Sequence, residues 1–392
     1  MSLPALADLE ELAGARILAR LDLNVPVKDG RVEDDSRITG ALDTVRWLLD
    51  RAPVVACCSH LGKAKGSPDP VYSLRPVAEA LGAALGRSVT FVEDCLDPAA
   101  SGAPAGSLLV LENLRFYPGE KANDGDFARR LAAPYSHYVN DAFGTAHRAH
   151  ASVDAVPRLF DRGRRAAGYL MEREVAALQR LVDEPDQPFV AVVGGAKVST
   201  KTEPLEALLG RVRRMVIGGG MANTFFLAKG FPIGRSLAEP DMVETAHAVM
   251  SRADELGIQL LLPTDVVVTD DLDRPTRVDV VAADAVRDDL MIVDLGPDSR
   301  AACERALGDA RTVFWNGPMG VFEVDAFAAG TLAVAHAIST CPGFTVVGGG
   351  ESVMAVKRAG LEASIDHVST GGGASLEFLT GSTLPAIAAL ET

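Results

Sequence analysis

The sequence predicts an α/β protein of two lobes, each a parallel sheet flanked by helices in three layers (α/β/α). Three observations predict it. The chain has 392 residues, more than one hydrophobic core usually supports. Short apolar runs recur throughout, almost every one ending in a glycine-rich or polar loop that leads into a segment of helical spacing. Near the middle, an acidic, proline-containing stretch, DEPDQP at 183–188, interrupts this rhythm.

The strands carry the argument first. Val54 to Cys58 precedes SHLGKAKG, Val190 to Val193 precedes GGAKVSTK, Met215 to Ile217 precedes GGGMANTF, and Thr345 to Val347 precedes GGGES. Continuous apolar strands alternating with helices imply parallel sheets covered on both faces. The intervening helices are amphipathic: Ile38, Leu42, Val45 and Leu49 repeat at three and four residues, and Leu205, Leu208, Leu209 and Val212 follow the same period. Such sheets bind ligands at the loops beyond the carboxyl ends of their strands, so the informative loops share one edge. Tyr169 to Val182 also has helical spacing, and its run into the acidic stretch marks the domain boundary.

Composition narrows the function. Aromatics are few, and 37 Gly with 22 Pro supply turns without low-complexity bias. A formal charge of −15 argues against nucleic acid or an anionic membrane as partner, since both need a broad basic surface. Anionic small molecules need only a local basic pocket, and the first half gathers Arg20, Arg37, His60, Lys63, Lys65, Arg115, His147, Arg148 and His150 near loop positions. Five cysteines without a CxxC pair fit reduced thiols, and Asp8, Glu10 and Glu11 occupy the place of a signal peptide's positive segment. The expected location is cytoplasmic.

The loops name the chemistry. Arg20, Asp22 and Asn24 follow an apolar strand; a capped turn explains the Asp and Asn as readily as a binding site does. Glu112 to Phe116 and Asn140 to His150 follow two further strands. His147 and His150 suit a metal less well than a clamp, because no third ligand stands at suitable spacing, whereas several Arg can grip phosphate and carboxylate two oxygens at a time. In the second half, GGAKVSTK follows a strand and is expected to open a helix that carries Lys197 and Lys201 on one face. Neither GxxxxGK[ST] nor a completed GxGxxG occurs. Loops at Asp294 to Pro297, Trp315 to Glu323, Gly348 to Ser352 and Ser369 to Ser375 fit a nucleotide, although triple glycine also serves tight helix–sheet packing.

RLDLNVP, DSRI, SHLGK, ENLRF, NDAFGTAHRAH, GGAKVSTK, GGGMANTF, WNGPMGVFE and STGGGASLEFL together resemble the phosphoglycerate kinase family from end to end. The resemblance implies a hinge-bending enzyme, a monomer, that moves a phosphoryl group between MgATP and the carboxylate of 3-phosphoglycerate, giving ADP and 1,3-bisphosphoglycerate. Residues 1–170 become the phosphoglycerate lobe, with 378–392 returning to it. Residues 171–185 become the hinge helix and linker, and 186–377 the nucleotide lobe. By position, Asp22, Asn24, Arg37, His60, Lys63, Arg115 and Arg148 hold the phosphoglycerate. Lys201, Gly296, Asn316, Glu323, Gly348, Gly349, Gly350, Glu351 and Ser352 hold MgATP, with Glu351 toward the Mg2+. Arg37, Lys197 and the N–H groups of Gly371 and Gly372 surround the transferring group.

Two residues depart from the family pattern. Lys63 stands where the family usually has Arg, and Glu351 where it usually has Asp. Lys63 motivates a kinase of another phosphorylated or phosphonylated carboxylate as an alternative; Glu351 motivates a nucleotide-binding homologue of low turnover.

Overall fold

In the computed structural model, which describes residues 3–97, 100 and 102–391, the apolar runs are the strands of two six-stranded parallel sheets. The first is ordered Thr90–Val92, Ser107–Leu111, Val54–Cys58, Arg16–Leu21, His137–Asp141, Arg165–Ala167. The second is ordered Gln259–Leu261, Arg214–Ile217, Phe189–Val193, Thr312–Asn316, Phe344–Gly348, His367–Val368. The predicted fold class is therefore the observed one. The chain forms two units: one runs to Ala176 and regains the chain at Thr383, and the other is Ala177–Ser382. Helix Tyr169–Val182 begins in the first and ends in the second.

Burial explains why these runs are strands. Val54–Cys58, His137–Asp141, Phe189–Val193 and Thr312–Asn316 are buried at every position, as central parallel strands must be. Helix Ser36–Leu49 covers the first sheet with Ile38, Val45 and Leu48, all fully buried. Each such side chain contributes about 1.5–3 kcal/mol by leaving water. In the second unit, helix Thr202–Leu209 buries Leu205, Leu208 and Leu209, but Val212 lies beyond its end.

Four local expectations change. Arg20 belongs to the strand Arg16–Leu21 rather than to the loop after it. Residues 194–201 form a loop, and the helix starts only at Thr202, so Lys197 and Lys201 do not share a helical face. Asp294 and Leu295 end a strand, Met291–Leu295, in an unforeseen antiparallel sheet with Asp265–Thr269 and Val278–Ala282. Helix Gly372–Leu379 lies in the second unit against helix Thr202–Leu209, so the returning segment begins at Thr383, not 378. Among the described residues, no helix is long and apolar enough to cross a membrane.

Candidate functional site

Parallel pairing brings the carboxyl ends of four strands of the first unit to one edge, and the polar loops follow from it. Ser59 ties two of them, accepting from the Leu23 N–H at 3.0 Å and donating to Leu21 O at 2.8 Å. Asn24 Oδ1 accepts from the Gly62 N–H at 2.8 Å, and Asn113 donates to Leu61 O and Tyr72 O, each at 2.9 Å. On this frame Asp22 is buried and pairs with Arg37, Nη1 to Oδ1 at 2.6 Å. Its second oxygen is buried with no hydrogen-bond partner.

Arg115 is buried and donates through Nη1 to Gly62 O at 2.9 Å, while its Nε and Nη2 find no partner. Burial, then Arg148 and Arg20, lower its guanidinium to about 10. Burial and the cations Arg20, Arg115, Arg37 and Arg148 hold His60 well below the usual histidine range. The same causes, burial first and then Arg115, Arg148, Arg20 and Lys121, take His150 down to about 4. Lys63 and Arg148 are exposed. Among the described residues no three His, Cys, Asp or Glu side chains are placed to hold a metal, so the histidine pair adds neutral rings to a cationic pocket. Uncompensated cations and orphaned donors suit a small polyanion.

In the second unit, Lys201 folds back over its own loop. Its Nζ donates to Gly194 O at 2.7 Å, Asn316 O at 3.0 Å and Asn316 Oδ1 at 2.8 Å. Burial lowers its ammonium to about 8, an effect that the Glu351 carboxylate opposes. The Asn316 Nδ2 is buried without a partner. Ser352, fully buried, accepts from the Gly317 N–H at 2.6 Å. Gly349 has φ 90° as it enters helix Gly350–Arg358, and a Cβ on Gly372 would lie 2.5 Å from the Gly349 Cα. Only glycines allow two helix-initiating loops to meet this closely.

Beside these loops is a cavity of about 200 Å3 with a largely apolar wall that includes Gly195, Gly219, Phe226, Leu237 and Val321. Its apolar lining suits a heterocycle, and the helix N-termini at exposed Gly350 and half-buried Gly372 suit the anions attached to one. Glu323 and Glu351 also line it. Gly296 does not: it packs on the Asp265 carboxylate, while its neighbours Asp294 and Leu295 reach the cavity. Lys197 is exposed, and Gly371 is buried at the start of helix Gly372–Leu379.

Sequence reasoning placed Arg20 and Asp294 in loops and missed their burial: Arg20 is fully buried in a hydrogen-bonded chain with Ser152 and Glu120, and Asp294 is a buried acid that burial raises to about 6. An arginine within an apolar strand is the only local signal of the first.

A family model described as phosphoglycerate kinase matches residues 6–382. The phosphoglycerate kinase of Moorella thermoacetica is 49% identical over 389 residues, covering 98% of each chain. The solved structure of phosphoglycerate kinase from Coxiella burnetii superposes with a TM-score of 0.88 at 39% identity, covering 100% of this chain and 99% of its own. That of the Pyrococcus horikoshii enzyme gives 0.86 at 31% identity, covering 99% and 98%.

Proposed function

Because this chain belongs to the phosphoglycerate kinase family, and so transfers a phosphoryl group between ATP and the carboxylate of 3-phosphoglycerate in glycolysis, we propose a role for each of its site residues. The orphaned Nε and Nη2 of buried Arg115 carry the reading for the acid, because such donors are costly to leave unmade without an anionic ligand. Arg115, Arg148 and Lys63 grip its phosphate. Asp22, Asn24, Arg37 and His60 orient the remainder and leave the carboxylate free to attack.

The acceptor carboxylate is ionised at neutral pH, so no general base is required. Catalysis reduces to alignment and charge neutralisation. Arg37, Lys197 and the N–H groups of Gly371 and Gly372 supply the neutralising charge around the transferring group. The cavity beside Gly219 and Val321 takes the base of ATP. Lys201, Asn316 and the turn Gly348–Ser352 take its phosphates, with Glu323 toward the sugar and Gly296 shaping the strand end. Magnesium, bound mainly by phosphates and water, needs only one or two protein carboxylates, and Glu351 at the cavity wall fits that need. When bound it neutralises phosphate charge. In the same reading Tyr169–Val182 is the hinge, and the protein is a cytoplasmic monomer.

A coupled assay of the purified protein in both directions tests the proposal, run beside Arg115→Ala and Glu351→Asp. Turnover on the order of 1–10³ per second, with the KM for 3-phosphoglycerate raised by Arg115→Ala and that for ATP unmoved, is the expected result. A nucleotide KM that rises equally would remove Arg115 from the acid site.

A further inference from the structure

Three buried side chains behind the acid site form a one-way chain of hydrogen bonds. Glu120, fully buried, accepts from the Ser152 hydroxyl at 2.6 Å through Oε1 and from the Ser152 N–H at 2.9 Å through Oε2. The hydroxyl proton is thereby committed, and Ser152 Oγ can only accept from the Arg20 Nε–H, which stands 2.9 Å away. Arg20 is also held by Leu21 O through Nη1. Its remaining nitrogen, Nη2, lies 3.2 Å from Nδ1 of His60.

Guanidinium donates and never accepts, so His60 Nδ1 must present a lone pair to Arg20. The proton of a neutral imidazole then resides on Nε2. We infer that Glu120, Ser152 and Arg20 form a positioning relay that fixes His60 as a neutral Nε2–H donor and thereby sets the affinity for the acid. Protonation at Nδ1 would turn a second donor against Arg20, in a pocket that already contains Arg37, Arg115 and Arg148, where Asp22 Oδ1 pairs with Arg37. Glu120 supplies the buried charge that compensates Arg20, passed through a hydroxyl rather than by direct contact. Neither Glu120 nor Ser152 needs to touch the substrate. The inference rests on His60 contacting 3-phosphoglycerate, as proposed above.

The test is long-range 1H–15N correlation of the full chain labelled with 15N-histidine, combined with steady-state kinetics of Glu120→Gln and Ser152→Ala. The free protein is expected to show His60 as the Nε2–H tautomer across pH 5.5–8. Both variants are expected to shift its tautomer balance and raise the KM for 3-phosphoglycerate about tenfold, the scale of one charge-assisted hydrogen bond, while leaving the ATP KM within about twofold. An Nδ1–H tautomer or an imidazolium in the free wild-type protein overturns the inference. So does an unchanged His60 spectrum and KM in whichever variant folds; a merely structural role would lower Tm and leave both alone. If adding 3-phosphoglycerate leaves the His60 signals unmoved, the placement of the acid falls instead, and the unliganded spectrum still decides the tautomer.

Discussion

Arg37 Nη1 sits 2.6 Å from Asp22 Oδ1, joining the first turn of helix Ser36–Leu49 to the loop that leaves the central strand Arg16–Leu21. Asp22 is buried and the Arg37 side chain 32% exposed, so the carboxylate anchors a guanidinium that is partly open to solvent. Arg37→Ala should lower kcat by about 10²–10³, the loss typical of one donor to developing charge. ATP affinity by calorimetry should not change. Arg37→Lys, which keeps the charge beside Asp22, separates loss of catalysis from loss of folding, and an unchanged kcat in both variants would exclude Arg37 from the reacting centre.

Lys63 is exposed on the loop after Val54–Cys58, where an ammonium offers a point charge rather than a two-pronged grip. Lys63→Arg should lower the KM for 3-phosphoglycerate by about threefold, within the range of a second charged hydrogen bond. Initial-rate kinetics at fixed ATP would show it. A KM that does not move means that Lys63 is a solvated charge.

Glu351 extends one methylene further than aspartate from the helix start at Gly350, and magnesium tolerates little displacement of its ligands. Glu351→Asp should therefore equal or exceed the wild type, and Glu351→Ala should raise the magnesium concentration for half-maximal activity about tenfold. Titrating activity with magnesium at constant ATP checks both. An identical curve for all three proteins would place the metal away from this residue.

Lys201 titrates near pH 8 because burial depresses its ammonium. The sign follows directly: above pH 8 the lysine of the free protein loses this proton, and when a polyphosphate binds, favouring the charged form, the lysine takes one up from solvent. Calorimetry of MgADP binding at pH 8.5 in buffers of different ionisation heat should detect proton uptake that vanishes at pH 7 and in Lys201→Met. Absence of uptake at pH 8.5 would place the lysine away from the phosphates.

Residues that signal locally were legible in the sequence. Val54–Cys58 and Phe189–Val193 announce themselves because a central parallel strand is apolar at every position, and the loops they feed follow by topology. Ile38, Leu42 and Val45 show the period of the helix that carries them, although Leu48 rather than Leu49 completes its buried face. What failed were positions decided by distant partners. Lys201 looked helical beside Lys197, yet the carbonyls of Gly194 and Asn316 draw it back into a loop, and the helix waits for Thr202. The antiparallel strands Asp265–Thr269 and Val278–Ala282 are mostly valine and do not alternate polar with apolar residues, so nothing in them separates an antiparallel from a parallel pattern. Arg20 depends on Glu120 and Ser152, more than ninety residues away, and no window of sequence contains all three.

Helix Pro385–Glu391 completes the first unit: Leu384, Ala386, Ile387 and Leu390 are buried there, Ala386 N–H donates to Ala146 O at 3.1 Å, and Arg165 donates to Leu390 O at 3.2 Å. During synthesis, the ribosome therefore releases every residue of the second unit before the first can close its core. The nascent first unit must wait with the faces around Ala146 and Arg165 uncovered, while the second, continuous in sequence from Ala177 to Ser382, has all its parts in hand and can mature first.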